Sequence, residues 1–415
     1  MFIWCASNAR RAVMTLHIAR SLRHRNFRLY FLGQLLSLHG TWMQSVAQAW
    51  LVYRLTDSSF MLGLVSFLNL APVLLLGLFA GAVADRYSRY RLFWTTQTLA
   101  MLQAFTLGAL TLGGHVQVTH ILILATSLGV IHAFEIPARH ALVAGLVERA
   151  ELSNAIALNS SLFNLARFLG PALAGALVAV LGEGPVFVIN GVSFLTVLLA
   201  LAAMRPRPAM HARPSDTGGA LAGLRFAWRQ VPLRYALGLV ALVSFVGTPY
   251  LVLMPVFARE VFGGGAQQLG LLIGAAGLGA LLAALRLAQR KQNEGLERVI
   301  VFSGVFSGVD LLLFSQAGSF TFALATLPLI GFAITSLVAA TNTFLQLQAE
   351  DNLRGRLMSL FSMVFLGAAP LGNLLAGFAA QHIGAPRTVL ASALLCLAGA
   401  AGLGYGLCRS VSAKP

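Results

Sequence analysis

The stretch GAVADRYSRYR, which runs from Gly81 to Arg91, lies between two long apolar segments. It places a small residue, an acid and three arginines at short spacings in one connection. A charged turn between two hydrophobic segments is typical of a loop at a membrane surface, where basic side chains collect. The rest of the sequence therefore has to show how many such segments the chain contains.

Composition places the chain in a bilayer. Hydrophobic residues make up 58% of the 415 positions and charged residues only 10%, and the mean hydropathy is +0.79. A soluble domain of this composition cannot cover itself with polar surface. The short alternating segments of a membrane β-barrel are not seen in the sequence. The chain is therefore predicted to be an all-α membrane protein.

Twelve segments are long and apolar enough for a helix to cross about 30 Å of hydrocarbon, which takes roughly 20 residues. They run near 28–53, 60–84, 91–113, 116–138, 156–181, 184–204, 233–258, 266–288, 298–317, 319–345, 355–380 and 385–408. A proline- and arginine-rich stretch, RPRPAMHARPSD, begins at Arg205 and divides them into two sets of six. We therefore expect two pseudo-symmetric six-helix bundles.

The predicted divisions follow from this pattern. They are a cytoplasmic N-terminal segment 1–27, a first bundle 28–204, a cytoplasmic linker 205–232 with an amphipathic helix, a second bundle 233–408 and a cytoplasmic tail 409–415. Met14 offers an alternative start, so residues 1–13 need not be native.

The basic residues orient the helices. If the N-terminus is cytoplasmic, all of the 29 Lys and Arg residues except Arg54, Arg167, Arg259 and Arg387 fall in cytoplasmic connections or tails. Basic residues favour the cytoplasmic side of a membrane. Both termini are therefore predicted to be cytoplasmic. The scarcity of lysine beside abundant arginine suggests a GC-rich bacterial genome and hence the inner membrane.

The fifth and eleventh segments share a pattern of small residues and proline. Small residues let helices approach closely, and proline loosens the helix where it bends. The predicted hinge residues are Gly170, Pro171 and Gly175 in the fifth segment and Gly367, Pro370 and Gly372 in the eleventh.

Five stretches of the chain resemble the major facilitator superfamily, and within it the enterobactin exporter and macrolide efflux group. They are GTWMQSVAQAWLVYRLT from Gly40, GAVADRYSRYR from Gly81, EIPARHALV from Glu135, NLARFLGPALAG from Asn164 and RGRLMSLF from Arg354.

The resemblance implies a secondary active transporter that uses protons to export a small organic compound such as a siderophore, a macrolide or another drug-like solute. The expected protein is a monomer whose partners are its substrate, protons and membrane lipid, and which needs no cofactor. Two alternatives stay open, namely an uptake or facilitated-diffusion carrier of a small metabolite and a non-transporting receptor or scaffold.

The opening stretch matches the signature of the family's second connection. The matching residues are Gly81, Asp85, Arg86 and Arg89. The sequence departs from the signature at Ser88, where glycine is usual, and at Tyr90, where a base is usual. These departures leave most of the charge pattern intact.

The resemblance implies that these residues form a cytoplasmic latch together with Glu135 of the fourth segment. Arg89 follows Asp85 by four residues, which is close enough for the two to pair on a helical turn. The latch would hold the cytoplasmic side closed while the carrier faces outward. The alternative is that the charges only anchor the connection among lipid headgroups.

Ionisable side chains within the segments are candidates for proton coupling, because inserting a charge there costs roughly 2.5–3.5 kcal/mol. Glu135 and His132 lie three residues apart on one helix face, and Asp310 lies in the ninth segment. Glu135 has an alternative partner in Arg139, four residues on, and Asp310 has the alternative of a hydrogen bond to a neighbouring helix.

Polar residues on the first helix of each three-helix unit are predicted to line the substrate cavity, because the resemblance places those helices there. The candidates are Ser37, Thr41, Gln44 and Gln48 in the first segment, Ser244 and Thr248 in the seventh, and Thr335, Asn342 and Gln346 in the tenth, with Arg167 of the fifth segment added. The alternatives are helix-to-helix hydrogen bonds for the stripes and an ion pair with a buried acid for Arg167.

Other functional classes find little support in the sequence. It has no GxxxxGK[ST] phosphate loop, no credible catalytic set and no metal-ligand spacing among Cys5, Cys396 and Cys408. The net charge of +16 is spread over short connections and does not form one basic face, which argues against nucleic-acid binding. We therefore expect neither an enzyme nor a metal site.

We predict that Asp85→Asn slows transport and leaves the protein folded in the membrane, because the amide cannot pair with Arg89. Transport by proteoliposomes and thermal unfolding of the purified variant test this. Transport at the wild-type rate would rule out the latch.

Overall fold

The protein is all-helical in the residues that its computed structural model describes, which are 20–205, 226–288, 295–349 and 353–412. The predicted N-terminal segment up to residue 19, most of the predicted linker and the last three residues lie outside the described residues. The main helices before the linker are α1 Arg25–Thr56, α2 Ser59–Arg86, α3 Arg89–Leu112, α4 Val118–Leu146, α5 Leu152–Leu181 and α6 Glu183–Ala203. A 3-10 turn, Arg20–Arg23, precedes α1.

After the linker, a helical turn at 226–229 leads into the second series. These helices are α7 Val231–Val261, α8 Ala266–Ala288, α9 Leu296–Ser315, α10 Phe320–Gln348, α11 Arg354–Ile383 and α12 Ala385–Ser412. Most ends lie within a few residues of the predicted ones. The prediction was wrong for α4, which continues past residue 138 to Leu146.

Ten of these helices are long and apolar enough to cross a membrane. The two that are not are α1 and α3, whose hydropathy is lowered by polar residues. Several of these polar side chains, including Gln44, Gln97 and Gln103, are buried against other helices and do not face lipid. The polar content of α1 and α3 therefore reflects contacts between helices.

The helices pack in two groups that follow the order of the chain. In the first group, α1 packs against α5 and α6, α3 against α4 and α6, and α2 against α4. In the second group, α10 packs against α8 and α9, and α12 against α7 and α9. The extensive contacts that join the first group to the second are those of α2 with α11 and of α5 with α8.

Glycines allow these close contacts. In a lipid environment, helices associate through close packing more than through the hydrophobic effect. A Cβ atom added at Gly63 of α2 would lie 3.1 Å from the Cα of Gly377 in α11. One added at Gly175 of α5 would lie 2.9 Å from the Cα of Gly270 in α8. The two pairs therefore let the backbones of the first and second groups touch.

The seventh segment is not a regular helix, which corrects the prediction of a plain span over 233–258. After Leu242 it contains a π-turn, Val243–Gly247, a 3-10 turn, Pro249–Leu251, and a second π-turn, Phe257–Val261. Proline has no N–H to donate, so Pro249 and Pro255 interrupt the regular hydrogen bonding of the helix. The first π-turn packs on α11, and the last interruption carries the residues that contact α1.

We predict that Gly279→Ala destabilises the protein, because the added methyl group would overlap the carbonyl oxygen of Pro328 where α8 crosses α10. Overpacking of this kind costs about 1–3 kcal/mol. Gly402→Ala in α12 is the matched control, since no other atom lies within 4 Å of its added methyl group. The midpoint of thermal unfolding in detergent should fall for the first variant only. Equal midpoints would contradict this account of the contact.

Candidate functional site between the two helix groups

The region between the two groups has two ends, named here by residues of the first group. The Asp57 end is where α1 ends and α2 begins. The Asp85 end is where α2 ends and α3 begins. Because successive helices run in opposite directions, α5 and α11 end at the Asp57 end, and α8 begins there.

Two polar pairs join the groups at the Asp57 end, and we call them the clasp. The hydroxyl of Tyr53, on a side chain that is 1% exposed, donates a hydrogen bond to Glu260. Beside it, Nη1 of Arg259 lies 2.6 Å from Oδ1 of Asp57. Both partners from the second group lie in the second π-turn of α7, which turns them towards α1.

Further hydrogen bonds between α2 and α11 lie on the same side. The hydroxyl of Ser58 donates to Oε1 of Gln381 at 2.8 Å, and Nδ2 of Asn373 donates to Oγ of Ser66 at 2.8 Å. The close backbone contact of Gly63 with Gly377 lies between these bonds. The Asp57 end is therefore closed by backbone packing and by polar contacts together.

Close glycine packing is not repeated near the Asp85 end among the described residues. At four glycines near this end, Gly77, Gly81, Gly145 and Gly355, an added Cβ atom would meet no atom of a neighbouring described element within 4 Å. Gly77 and Gly81 lie on the same helix as Gly63, which is tightly packed. On α2, the close backbone contact with the second group is thus found at Gly63 and not at Gly77 or Gly81.

The predicted latch residues lie at this open end. Gly81 and Arg86 belong to α2, and the backbone of Asp85 is helical, whereas its side chain lies outside the described part of the structure. Arg89 begins α3, and its Nη1 donates to the carbonyl oxygen of Ala141 in α4 at 3.4 Å. These contacts stay within the first group. Closure of the latch against α11 stays a prediction.

Glu135 is paired within its own helix. Its Oε1 lies 3.2 Å from Nε of Arg139, and both side chains are largely buried. The pair has ion-pair distance without hydrogen-bond geometry. Among the bonds of the described residues, none joins Glu135 to His132. The structure therefore shows the alternative that the sequence left open, in which Glu135 pairs with Arg139.

Asp310 is buried in the second group. Its side chain is 1% exposed on α9, and its Oδ2 has no hydrogen-bond partner in the described part of the chain. The hydrogen bond to a neighbouring helix that the sequence allowed is thus not made by this oxygen. Among the described residues, no three His, Cys, Asp or Glu side chains come together in a group that could hold a metal.

The polar stripe of α1 lies inside the first group. Oε1 of Gln44 accepts from Nδ2 of Asn190 in α6 at 2.7 Å, and Nε2 of Gln44 donates to Oε1 of Gln103 in α3 at 2.9 Å. Ser37 and Gln48 are buried as well. The helix-to-helix alternative accounts for Gln44. Of its four members, only Thr41 is partly exposed, and its hydroxyl donates to the carbonyl oxygen of Ser37.

Among the candidates in α7 and α10, some side chains bond to a neighbouring helix and others bond only within their own helix. Ser244, in the first π-turn of α7, donates to the carbonyl oxygen of Phe365 in α11, and Thr248 donates back to the carbonyl oxygen of Ser244. Nε2 of Gln346 donates to Oδ1 of Asn342 at 2.6 Å on an exposed face of α10. Thr335 is partly exposed.

Arg167 is partly exposed near the middle of α5. Its guanidinium carbon lies 6.0 Å from the centre of the Trp42 ring of α1. Tyr250 of α7 lies close enough to interact electrostatically with the guanidinium. The four ion pairs of the described residues involve other side chains. The predicted pairing of Arg167 with a buried acid is therefore not found among them.

The predicted hinge residues lie where helices approach one another. A Cβ atom at Gly170 would lie 2.7 Å from the Cβ of Trp42. One at Gly372 would overlap the carbonyl oxygen of Phe245 in α7, and one at Gly367 would touch Leu74 of α2. The remaining members are Gly175, which packs on α8, and Pro171 and Pro370, which lie inside α5 and α11.

Comparison with known families agrees with this arrangement. The model of the transmembrane secretion effector family matches residues 18–410. The chain belongs to this family of major facilitator superfamily transporters. It is therefore a multi-pass membrane transporter and not an enzyme.

Related proteins are similar along most of their length. The staphyloferrin A transporter of Staphylococcus aureus is 27% identical over 89% of this chain and 93% of its own. The multidrug efflux pump Tap of Mycolicibacterium fortuitum is 26% identical over 86% and 89%. The enterobactin exporter EntS of Salmonella choleraesuis is 27% identical over 89% and 88%.

Solved structures share the fold of this transporter. A bacterial homologue of the human lysosomal transporter Spinster, solved in an inward-facing and unoccupied conformation, has a TM-score of 0.71. It is 15% identical and covers 94% of this chain and 98% of its own. The nucleoside transporter NupG has a TM-score of 0.68 at 15% identity, covering 95% and 100%.

The sequence analysis did not single out the clasp. Tyr53 ends the first predicted segment and Asp57 follows it, and Arg259 and Glu260 follow the seventh predicted segment. One signal in the sequence could have indicated the clasp. Two segment ends on the same side of the membrane carry charged residues of opposite sign. Pro249 and Pro255 were a second signal, because they make α7 irregular before these residues.

We predict that Tyr53→Phe and Arg259→Gln each loosen the Asp57 end. A hydrogen bond contributes about 0.5–1.5 kcal/mol and an exposed ion pair about 0.2–1 kcal/mol, so Tyr53→Phe should shift the open population by up to about tenfold and Arg259→Gln by up to about fivefold. Spin labels at Leu181 and Ile383, on opposite groups, should report a larger fraction of long distances.

The control is a second pair of labels at Leu181 and Leu112, both in the first group at the same end. Its distance should not change, because the clasp does not join these helices. The native cysteines are replaced beforehand so that labelling is specific. An unchanged distance between the groups in both variants would show that the clasp does not hold this end closed.

Proposed function

We propose that this transporter exports a small organic compound by alternating access and uses protons to drive the export. In the proposed architecture, α1 to α12 all cross the membrane, and α1–α6 and α7–α12 form two six-helix bundles that rock about their contact. The observation that carries the proposal is a contrast among the described residues of α2, where close backbone packing and hydrogen bonds join the groups at the Asp57 end, whereas Gly77 and Gly81 have open space beside them.

The distribution of basic residues supports an orientation for this architecture. Arginines cluster in the connections at the Asp85 end, and such residues favour the cytoplasmic side. The Asp57 end then faces outward, and both termini lie in the cytoplasm. With this orientation the conformation is inward-facing, with its site open to the cytoplasm from which an exporter takes its substrate.

The contacts at the Asp57 end determine which steps the transport cycle would need. To release substrate outside, the backbone contact of Gly63 with Gly377 must separate and the clasp must open. The Asp85 end must then close, and we assign that closure to the arginines and acid of the latch at the end of α2 and the start of α3. Contacts at one end would stabilise each state. A rigid-body rotation of one bundle against the other would convert one state into the other.

The names of the relatives support the direction and the class of substrate. EntS is named an enterobactin exporter and Tap a multidrug efflux pump. The staphyloferrin A transporter carries the name of its own substrate. For this chain we therefore propose efflux of a siderophore or a drug-like solute.

Proton coupling rests on the acids inside the helices. Glu135 is paired with Arg139, so a proton on its carboxylate would compete with an ion pair. Asp310 carries an oxygen that has no hydrogen-bond partner among the described residues, and it lies in a helix that packs against α10 and α12. Both residues are candidates for the group that takes up the proton, as are His132 and the external acid Glu260.

The proposal predicts that the purified protein in liposomes moves a solute against its gradient when a pH gradient is imposed. The panel contains a catecholate siderophore, a macrolide and a lipophilic cationic dye. One class should accumulate on the side away from the cytoplasmic termini, at the expense of the pH gradient. Movement in the opposite direction would indicate uptake, and failure of all three with folded, inserted protein would contradict export of these classes.

A cross-link provides the structural control. Cysteines at Ser66 and Asn373, joined by a short reducible reagent, should stop transport, because they hold α2 to α11 at the Asp57 end. Reduction should restore it. A matched pair at Asn26 and Arg205, which bond at 2.9 Å within the first group, should leave transport intact when cross-linked.

A further inference from the structure

Arg167 is placed where a substrate between the two groups would meet it. It is the sixteenth of the 30 residues of α5, so it lies near the middle of the membrane. Trp42 on α1 lies beside its guanidinium, and Tyr250 on α7 is within electrostatic range of it, so residues of both groups surround this position. Residue Arg167 as a whole is half-buried.

The guanidinium lacks the partner that a cation at this depth requires. A charged side chain inside the membrane is normally paired with an opposite charge. The acids that form ion pairs among the described residues are Asp57, Glu135, Glu151 and Glu183, and none of them pairs with Arg167. The ring of Trp42 offers a cation–π contact, which is weaker than an ion pair.

The surroundings of Arg167 are aromatic. Trp42 packs edge-on against Phe163, with ring centres 5.7 Å apart, and Phe163 is one helical turn before Arg167. Tyr250 of α7 adds a third aromatic ring within electrostatic range of the guanidinium and is 3% exposed. A guanidinium beside aromatic faces suits a ligand that combines a negative group with an aromatic or other apolar body.

We propose that Arg167 binds the carboxylate, or another anionic group, of the transported compound, and that the site therefore selects organic anions and rejects lipophilic cations. This inference rests on the proposed function and narrows its substrate class. It favours acidic compounds over the cationic drugs that an efflux pump of this family could otherwise carry.

The position of Arg167 also suggests how an anion would take part in the cycle. Trp42 and Arg167 belong to the first group and Tyr250 to the second. An anion held between them would replace a bare cation with a neutral pair at the surface along which the two groups move. Such a pair is less costly in the membrane interior than the unpaired cation.

The test uses three ligands with the same aromatic body and different charge, namely 1-naphthylacetate, 1-naphthylacetamide and 1-naphthylmethylamine. Binding to the full-length protein in detergent is measured by calorimetry at neutral pH. The wild-type protein should bind the acid at least tenfold more tightly than the amide, and the amine most weakly. Arg167→Gln should remove the preference for the acid, and Arg167→Lys should retain part of it.

The matched control is Arg234→Gln. Arg234 also lies over aromatic rings, 5.9 Å from the centre of Trp228 and 5.6 Å from that of Tyr235, but at the start of α7 and away from Arg167. This variant should keep the preference of the wild-type protein. Thermal unfolding of each variant shows that loss of binding is not loss of fold.

The outcomes separate this inference from the proposed export. If the wild-type protein shows no preference for the acid, or if Arg167→Gln keeps it, Arg167 is not an anion site. Export of the cationic dye in the liposome assay together with that result would leave the exporter standing and overturn only the inference. A preference for the acid with no transport of any solute would support the site and contradict the exporter.

Discussion

Close contact between the backbones of α2 and α11, and of α5 and α8, is the constraint on which the arrangement of this protein depends. In a bilayer, two helices gain little by hiding apolar side chains from each other, because lipid is equally apolar. They associate where small residues allow many atoms to touch. Gly63 with Gly377, and Gly175 with Gly270, provide such places. Their position along the helices decides which end of the molecule is closed.

The irregular α7 links this contact to the region where a substrate would lie. Its first π-turn carries Ser244, which bonds to α11, and its second carries Glu260, which bonds to Tyr53 of α1. Tyr250, between the two, faces Arg167. One interrupted helix therefore contacts the closed end and the centre of the molecule. Such a segment can change shape locally, since its hydrogen bonding is already broken at two prolines.

The polar residues of the membrane interior fall into two kinds that sequence periodicity does not separate. Gln44 joins Gln103 and Asn190 inside the first group, where its amide nitrogen donates one bond and its oxygen accepts another. Arg167 lies on a neighbouring helix, yet it has no acid among its described partners. Both were candidates for the cavity on the same grounds of depth and polarity. The two kinds are distinguished only by the tertiary contacts of the side chain. Gln44 bonds to neighbouring helices, whereas Arg167 has no acidic partner among the described residues.

The sequence by itself determined the membrane class, nearly all helix positions and the family, because hydropathy, length and short charged connections are local properties of the chain. It also marked Gly175, Gly367 and Gly372 as packing positions. It could not decide the partners of Glu135 or Gln44, the clasp between Asp57 and Arg259, or the shape of α7. These features depend on contacts between helices that are far apart in the chain. Periodicity predicts which residues share one face of a helix, but it does not predict which other helix packs against that face.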